Sequence, residues 1–220
     1  MELVEYPRRI NGPSLRSLRS RSQQNVPTEV HHANRGLQVT PVFMYEGKKI
    51  VRTNSNVATP FLRSLEPHVK ELSKRITRDP IVVRPRALDI GCGNGRNSTW
   101  AIHRGFEVKS CDMYPSFEGS FKWDLNDGVP PFFYQGSVNL VLLQYVTMFL
   151  PDFNRQRVAT EALLLCAKPG IVVLEMQEVK NGLMDKQSIG RFVERFEDQA
   201  KGERMTVIGR AEGKIAVALN

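Results

Sequence analysis

The stretch Ala87-Leu88-Asp89-Ile90-Gly91-Cys92-Gly93-Asn94-Gly95-Arg96-Asn97 decides how this chain is read. A short apolar run carries an acid and then passes into glycines at every second position, the pattern of a strand that ends in a nucleotide-binding turn. Glycine there lets the backbone take positive φ and lets a ligand approach the main chain without meeting a Cβ. The spacing Gly-x-Gly-x-Gly departs from the Gly-x-Gly-x-x-Gly of the dinucleotide fingerprint, whose third glycine opens a helix that receives a pyrophosphate.

Working outward, Asp89 is expected to face the loop. An anionic side chain there repels phosphate and suits a ligand with an ammonium group, such as the methionine part of S-adenosylmethionine. A second acid, Asp112, closes the apolar run 105–111 and lies nineteen residues after Gly93. That distance puts it where the end of a second strand meets ribose hydroxyls, both of which an ionised carboxylate can accept.

In their order, these segments resemble a class I S-adenosylmethionine-dependent methyltransferase over residues 60–220. The run from Leu88 to Ser98 is similar to that family's first motif, and Asp112-Met113 to its ribose-binding acid with an apolar neighbour against the adenine. Trp123-Asp124-Leu125-Asn126 resembles the third motif, whose aspartate reaches the adenine amino group. Residues 138–143 resemble the fourth strand, and Lys168-Pro169-Gly170 the turn before the fifth.

The resemblance implies an α/β fold, with a Rossmann-like, seven-stranded, mostly parallel sheet, helices on both faces and a C-terminal antiparallel hairpin. It implies S-adenosylmethionine as cofactor, with Asp89, Gly91, Cys92, Gly93, Asn94, Gly95, Asn97, Asp112, Met113, Asp124, Leu125 and Gln144 around it. Within the class the chain looks most like the tellurite-resistance methyltransferases, which act on chalcogen compounds. Ile171 stands where a second glycine usually follows Lys-Pro-Gly, and the late His-Arg pair of that group has no counterpart, so the chalcogen acceptor is not carried over.

With 220 residues, 41% of them hydrophobic, the chain can bury one substantial core. It has no apolar run near the roughly 20 residues needed to span a bilayer and no apolar signal segment, so a cytoplasmic protein is expected. Cys92, Cys111 and Cys166 are an odd set without metal-ligand spacing, which argues for buried, reduced thiols and for no metal. Charge is unevenly spread. Residues 1–86 hold 16 Lys and Arg against 7 Asp and Glu, and the remainder 15 against 16. A basic N-terminal part beside a neutral core points to a phosphate-rich partner or an anionic surface.

Three parts are expected. Residues 1–35, with Arg8, Arg9, Arg16, Arg19 and Arg21 among serines, read as a basic flexible arm, either without a specific partner or touching nucleic acid. Residues 36–80 read as an extension with a hairpin over 37–51 and one helix over 53–76, and residues 81–220 as the methyltransferase domain. Periodicity in that domain predicts strands at 87–90, 107–111, 121–123, 138–143, 171–175, 205–210 and 215–219. Helices are expected at 97–104, 152–167 and 188–200.

Methyl transfer from a sulfonium is an in-line displacement that needs mainly positioning and exclusion of water. Ligands of such sheets lie beyond the carboxyl ends of the strands, so Gln144 and Tyr145 are the candidate catalytic residues facing the transferable methyl. Otherwise Tyr145 packs and Gln144 caps the following segment, and Thr147 could do the same. His31, His32, His68 and His103 sit in no recognised motif. No Asn-Pro-Pro-Tyr-like run follows the fourth strand and no Pro-Cys pair occurs, which disfavours methylation of exocyclic base amines and of cytosine carbon. A small-molecule or soft nucleophile is the first expectation for the acceptor. The alternatives are a nucleic acid held by the arm, or a non-catalytic module that keeps the fold as a scaffold.

Overall fold

Apolar residues alternate strictly along four strands, and each alternation sorts side chains to one face of a sheet or the other. In β3 (Arg86–Ile90), Leu88 and Ile90 join one core and Ala87 the other. In β6 (Val138–Gln144) the split is Val141 and Leu143 against Leu140 and Leu142. The later β7 (Cys166–Glu175) and β9 (Lys214–Leu219) divide in the same way, as Val172 and Leu174 against Ile171 and Val173, and Ile215 and Val217 against Ala216 and Ala218. Strands apolar on both faces must be covered on both, as the sequence led us to expect.

The structure, a computed structural model, describes residues 42–45, 48–51, 55–78, 84–178 and 184–220. The arm expected over 1–35, with Arg8, Arg9, Arg16, Arg19 and Arg21 and with His31 and His32, lies outside the described residues. β1 (Val42–Tyr45) and β2 (Lys48–Val51) pair antiparallel, the hairpin expected there.

The main sheet adds β4 (Glu107–Asp112), β5 (Phe121–Lys122) and β8 (Thr206–Ala211), in the order β5-β4-β3-β6-β7-β9-β8. Only β9 runs antiparallel to its neighbours β7 and β8. This is the expected seven-stranded sheet with its terminal hairpin. The chain moves outward from β3 to β4 and β5, then returns to β6 on the other side of β3. The crevice at such a reversal is where open α/β sheets bind ligands.

One face is covered by α4 (Asp152–Leu165) and α5 (Lys186–Gly202), the other by α1 (Pro60–Ser64), α2 (Glu66–Thr77) and α3 (Arg96–Ile102). The single helix expected over 53–76 is two helices. Residues 55–59 are not helical, the Thr59 hydroxyl caps α1 by accepting from Leu62 N–H at 3.1 Å, and the break falls at Leu65. Pro67 explains the break, because it has no N–H for the Arg63 carbonyl and its ring crowds that carbonyl. β7 also starts earlier than expected. Cys166 already pairs with Val138, and the turn Lys168-Pro169-Gly170 is absorbed into the strand, where Asn139 Nδ2 donates to the Pro169 carbonyl at 3.0 Å.

Phe196 of α5 is 1% exposed and packs in the larger core. Phe196→Ala is expected to lower the unfolding free energy by about 3–5 kcal/mol, as measured by urea denaturation.

Candidate active site

The loop after β3 turns three times through left-handed backbone, with φ +75° at Gly91, +56° at Gly93 and +76° at Gly95. Two of these positions differ in what a side chain would meet. A Cβ on Gly95 would lie 2.1 Å from the Phe117 ring. A Cβ on Gly93 would meet nothing within 4 Å, so that face of the main chain is open.

The neighbouring strand holds the loop. Cys111 carbonyl accepts from Gly91 N–H at 2.8 Å and Cys92 N–H at 3.0 Å, while Asp112 Oδ2 accepts from Gly93 N–H at 3.0 Å and Oδ1 from Tyr114 N–H at 2.8 Å. Loop and acid thus meet at the strand tips, as their spacing predicted.

A cavity of about 530 Å³ opens there, within the usual range for small-molecule sites. Gly91, Cys92, Gly93, Asn94 and Asn97 line it from the loop, and Asp112 and Met113 from the tip of β4. Asp124 and Leu125 border it beyond β5, where Asp124 Oδ1 caps a short 3-10 turn through Asn126 N–H at 2.9 Å. Gln144 and Tyr145 close the side beyond β6. Thr59 and Arg63 come from the N-terminal segment, which Asn94 ties to the loop by donating to the Ser55 carbonyl at 3.2 Å.

Two expected residues do not line the cavity. Gly95 is buried under Phe117 and starts α3. Asp89, 1% exposed, accepts a 2.6 Å hydrogen bond from the Ser98 hydroxyl and does not line the cavity. Side chains alternate along a strand, and at position 89 the carboxylate falls towards α3. Burial pushes its pKa up to about 6, with the Ser98 hydrogen bonds opposing. Asn97, unlike Asp89, reaches the cavity. Its side chain is 6% exposed and lines the cavity, and Oδ1 has no hydrogen-bond partner among the described residues.

Gln144 and Tyr145 both border the cavity, and both are tied to a residue the sequence reading missed. Glu175, at the end of β7 and fully buried, accepts from Gln144 Nε2, the Thr59 hydroxyl and, at 3.1 Å, the Tyr145 hydroxyl. The signal was present, since Asp112, Gln144 and Glu175 each end a parallel strand with a polar side chain. Burial, and then the Glu175 charge, push the Tyr145 phenol up to about 12. Tyr145 holds φ +58°, unusual for an aromatic residue, and the Arg96 guanidinium lies 5.7 Å from its ring centre.

Burial likewise pushes the Cys92 thiol up to about 12, so it is neutral and not a nucleophile. His68 on α2 and His103, the C-cap of α3, are exposed and do not line the cavity. Among the described residues no three His, Cys, Asp or Glu side chains group to hold a metal ion, and no helix is long and apolar enough to cross a membrane.

The strand order, the glycine loop and the acid at the next strand tip define a Rossmann-like fold of the kind seen in S-adenosylmethionine-dependent methyltransferases. Residues 69–120, from α2 through the loop to the segment before β5, match the family model described as tellurite resistance protein TehB. No curated protein sequence matches the chain.

Similar solved structures include an O-methyltransferase family protein from Burkholderia thailandensis, with 13% identity over 73% of this chain and 57% of that one, and a TM-score of 0.47. Another is 1,6-didemethyltoxoflavin-N1-methyltransferase of the same organism, solved with 1,6-didemethyltoxoflavin and S-adenosylhomocysteine, at 11% identity, 82% and 99% coverage and TM-score 0.45. A third is an S-adenosylmethionine-dependent methyltransferase from Mesorhizobium loti, at 13% identity, 70% and 97% coverage and TM-score 0.45.

Because the Asp89 pKa is raised on folding from 3.8 to about 6, its contribution to stability is complete below 3.8 and is lost as pH rises through 6. Between pH 4 and pH 7 the wild-type protein is therefore expected to lose about 2 kcal/mol relative to Asp89→Asn. Paired urea titrations across that range check it.

Proposed function

We propose that this protein transfers the methyl group of S-adenosylmethionine to a small-molecule acceptor that enters beside Gln144 and Tyr145. The observation that carries the reading is the junction of Gly93 N–H with the Asp112 carboxylate at the cavity edge. The residues present fit the cofactor. Open main chain at Gly93 can take its methionine portion, and the unpartnered Asn97 Oδ1 suits the ammonium. Asp112 is assigned to the ribose, since a carboxylate oxygen that accepts one N–H keeps a second lone pair. Met113 and Leu125 frame the adenine, and Asp124 meets its amino group. Asp89 and Gly95 act behind this surface, one holding α3 through Ser98 and the other shaping the turn.

When bound, the sulfonium supplies an activated methyl group. The protein's part is to orient the acceptor and exclude water, which Thr59 and Arg63 favour by covering the cavity from the N-terminal side. A nucleic-acid acceptor is the second reading, favoured by the 16 basic against 7 acidic residues in positions 1–86. It predicts that deleting residues 1–35 weakens RNA or DNA binding and flattens its salt dependence.

Isothermal titration should detect S-adenosylmethionine binding to the wild-type protein. Asp112→Ala is expected to weaken it roughly 10- to 100-fold, the worth of hydrogen bonds to a charged group. No binding by the wild-type protein would defeat the proposal.

A further inference from the structure

The cavity floor beyond β6 has a definite hydrogen-bond polarity, and Glu175 beneath it sets that polarity. An ionised carboxylate accepts and cannot donate. Oε1 of Glu175 takes the Thr59 hydroxyl and Gln144 Nε2, while Oε2 takes the Tyr145 hydroxyl at 3.1 Å and faces Lys214 Nζ at 3.5 Å. Gln144 must therefore turn its NH₂ towards Glu175, and the Tyr145 proton is committed there too.

What remains towards the cavity is acceptor capacity. Gln144 is 4% exposed and lines the cavity, and its Oε1 is buried with no hydrogen-bond partner among the described residues. Tyr145, the next residue, keeps the lone pairs of its hydroxyl oxygen. Two neighbouring acceptors with their donors engaged elsewhere call for a ligand atom that brings two donors.

We infer that the methyl acceptor is a neutral primary amine, whose two N–H groups donate to Gln144 Oε1 and Tyr145 Oη while the nitrogen lone pair faces the transferable methyl. This rests on the methyltransferase reading above and names its substrate class. A tetrahedral amine nitrogen has this set of two donors and one lone pair. A thiol or hydroxyl brings one donor, and a thiolate or a chalcogen oxyanion none, so each leaves a buried acceptor unmet and binds more weakly.

The surrounding charges favour the neutral amine over its ammonium form. Arg96 stands over the Tyr145 ring and Arg63 also borders the cavity, the Glu175 charge is offset by Lys214, and the two carboxylates that line the cavity, Asp112 and Asp124, lie at the tip of β4 and beyond β5, on the side assigned to the cofactor. Glu175 is thus a positioning residue that acts through Gln144 and Tyr145.

Aniline, phenol and thiophenol share one ring and differ in donors, with thiophenol ionised near neutral pH, so they test the inference directly. In cofactor-free protein labelled with ¹³Cζ-tyrosine and ¹⁵Nε2-glutamine, aniline is expected to shift the Tyr145 and Gln144 resonances with a Kd at least tenfold below those of the other two. With S-adenosylmethionine, S-adenosylhomocysteine release should favour aniline at least tenfold in kcat/KM over thiophenol and over sodium selenite. Glu175→Gln should erase that discrimination and Glu175→Asp should restore part of it. If Glu175→Gln does not fold, the wild-type discrimination alone decides. Equal or tighter binding of phenol or thiophenol, faster turnover of thiophenol or selenite, or no shift with any probe overturns the inference. Titration with S-adenosylmethionine separates the two failures: no binding sinks the methyltransferase reading, whereas binding without an aniline advantage sinks only the amine.

Discussion

Three successive amides of the glycine loop are held by two successive residues of the neighbouring strand, and the rest of the site follows from that contact. Cys111 carbonyl takes Gly91 and Cys92, and the Asp112 carboxylate takes Gly93. The parallel register of β3 on β4, which sets Ile90 opposite Cys111, is what brings them together. A slip of one residue would turn Asp112 to the other face and leave the loop amides without partners. With the loop fixed, α3 starts at a set angle from Gly95, Asn97 comes to the cavity wall, and the Gly93 main chain stays open to a ligand.

Two buried carboxylates then divide the work at the strand ends. Asp89 meets Ser98 on α3, so the helix that follows the loop is anchored to the strand that precedes it. Glu175 gathers the cap of α1, the end of β6 and Lys214 of β9 around one charge. A buried charge persists only when it is paired and hydrogen-bonded, and here three side-chain donors and Lys214 satisfy it. The same network joins the N-terminal segment to the sheet through Thr59.

The sheet was legible because strands apolar on both faces leave a strong local pattern, and all seven main-sheet strands lie within a few residues of their expected places. The helix break at Leu65 needed the pairing of Pro67 with the Arg63 carbonyl to be noticed, which apolar spacing does not show. Asp89 was misjudged because adjacency in sequence suggested a shared cavity, whereas strand alternation points it at Ser98. Glu175 went unseen as a site residue because its partners Thr59, Gln144 and Lys214 are scattered along the chain.

By itself the sequence determined the class of fold and the meeting of the glycine loop with Asp112, because a glycine turn and an acid at a strand tip are short-range patterns carried by contiguous residues. Only the tertiary structure decided which polar groups meet beyond β6. There the chemistry depends on which donors and acceptors are left over once distant side chains have met around Glu175, and no local pattern records that remainder.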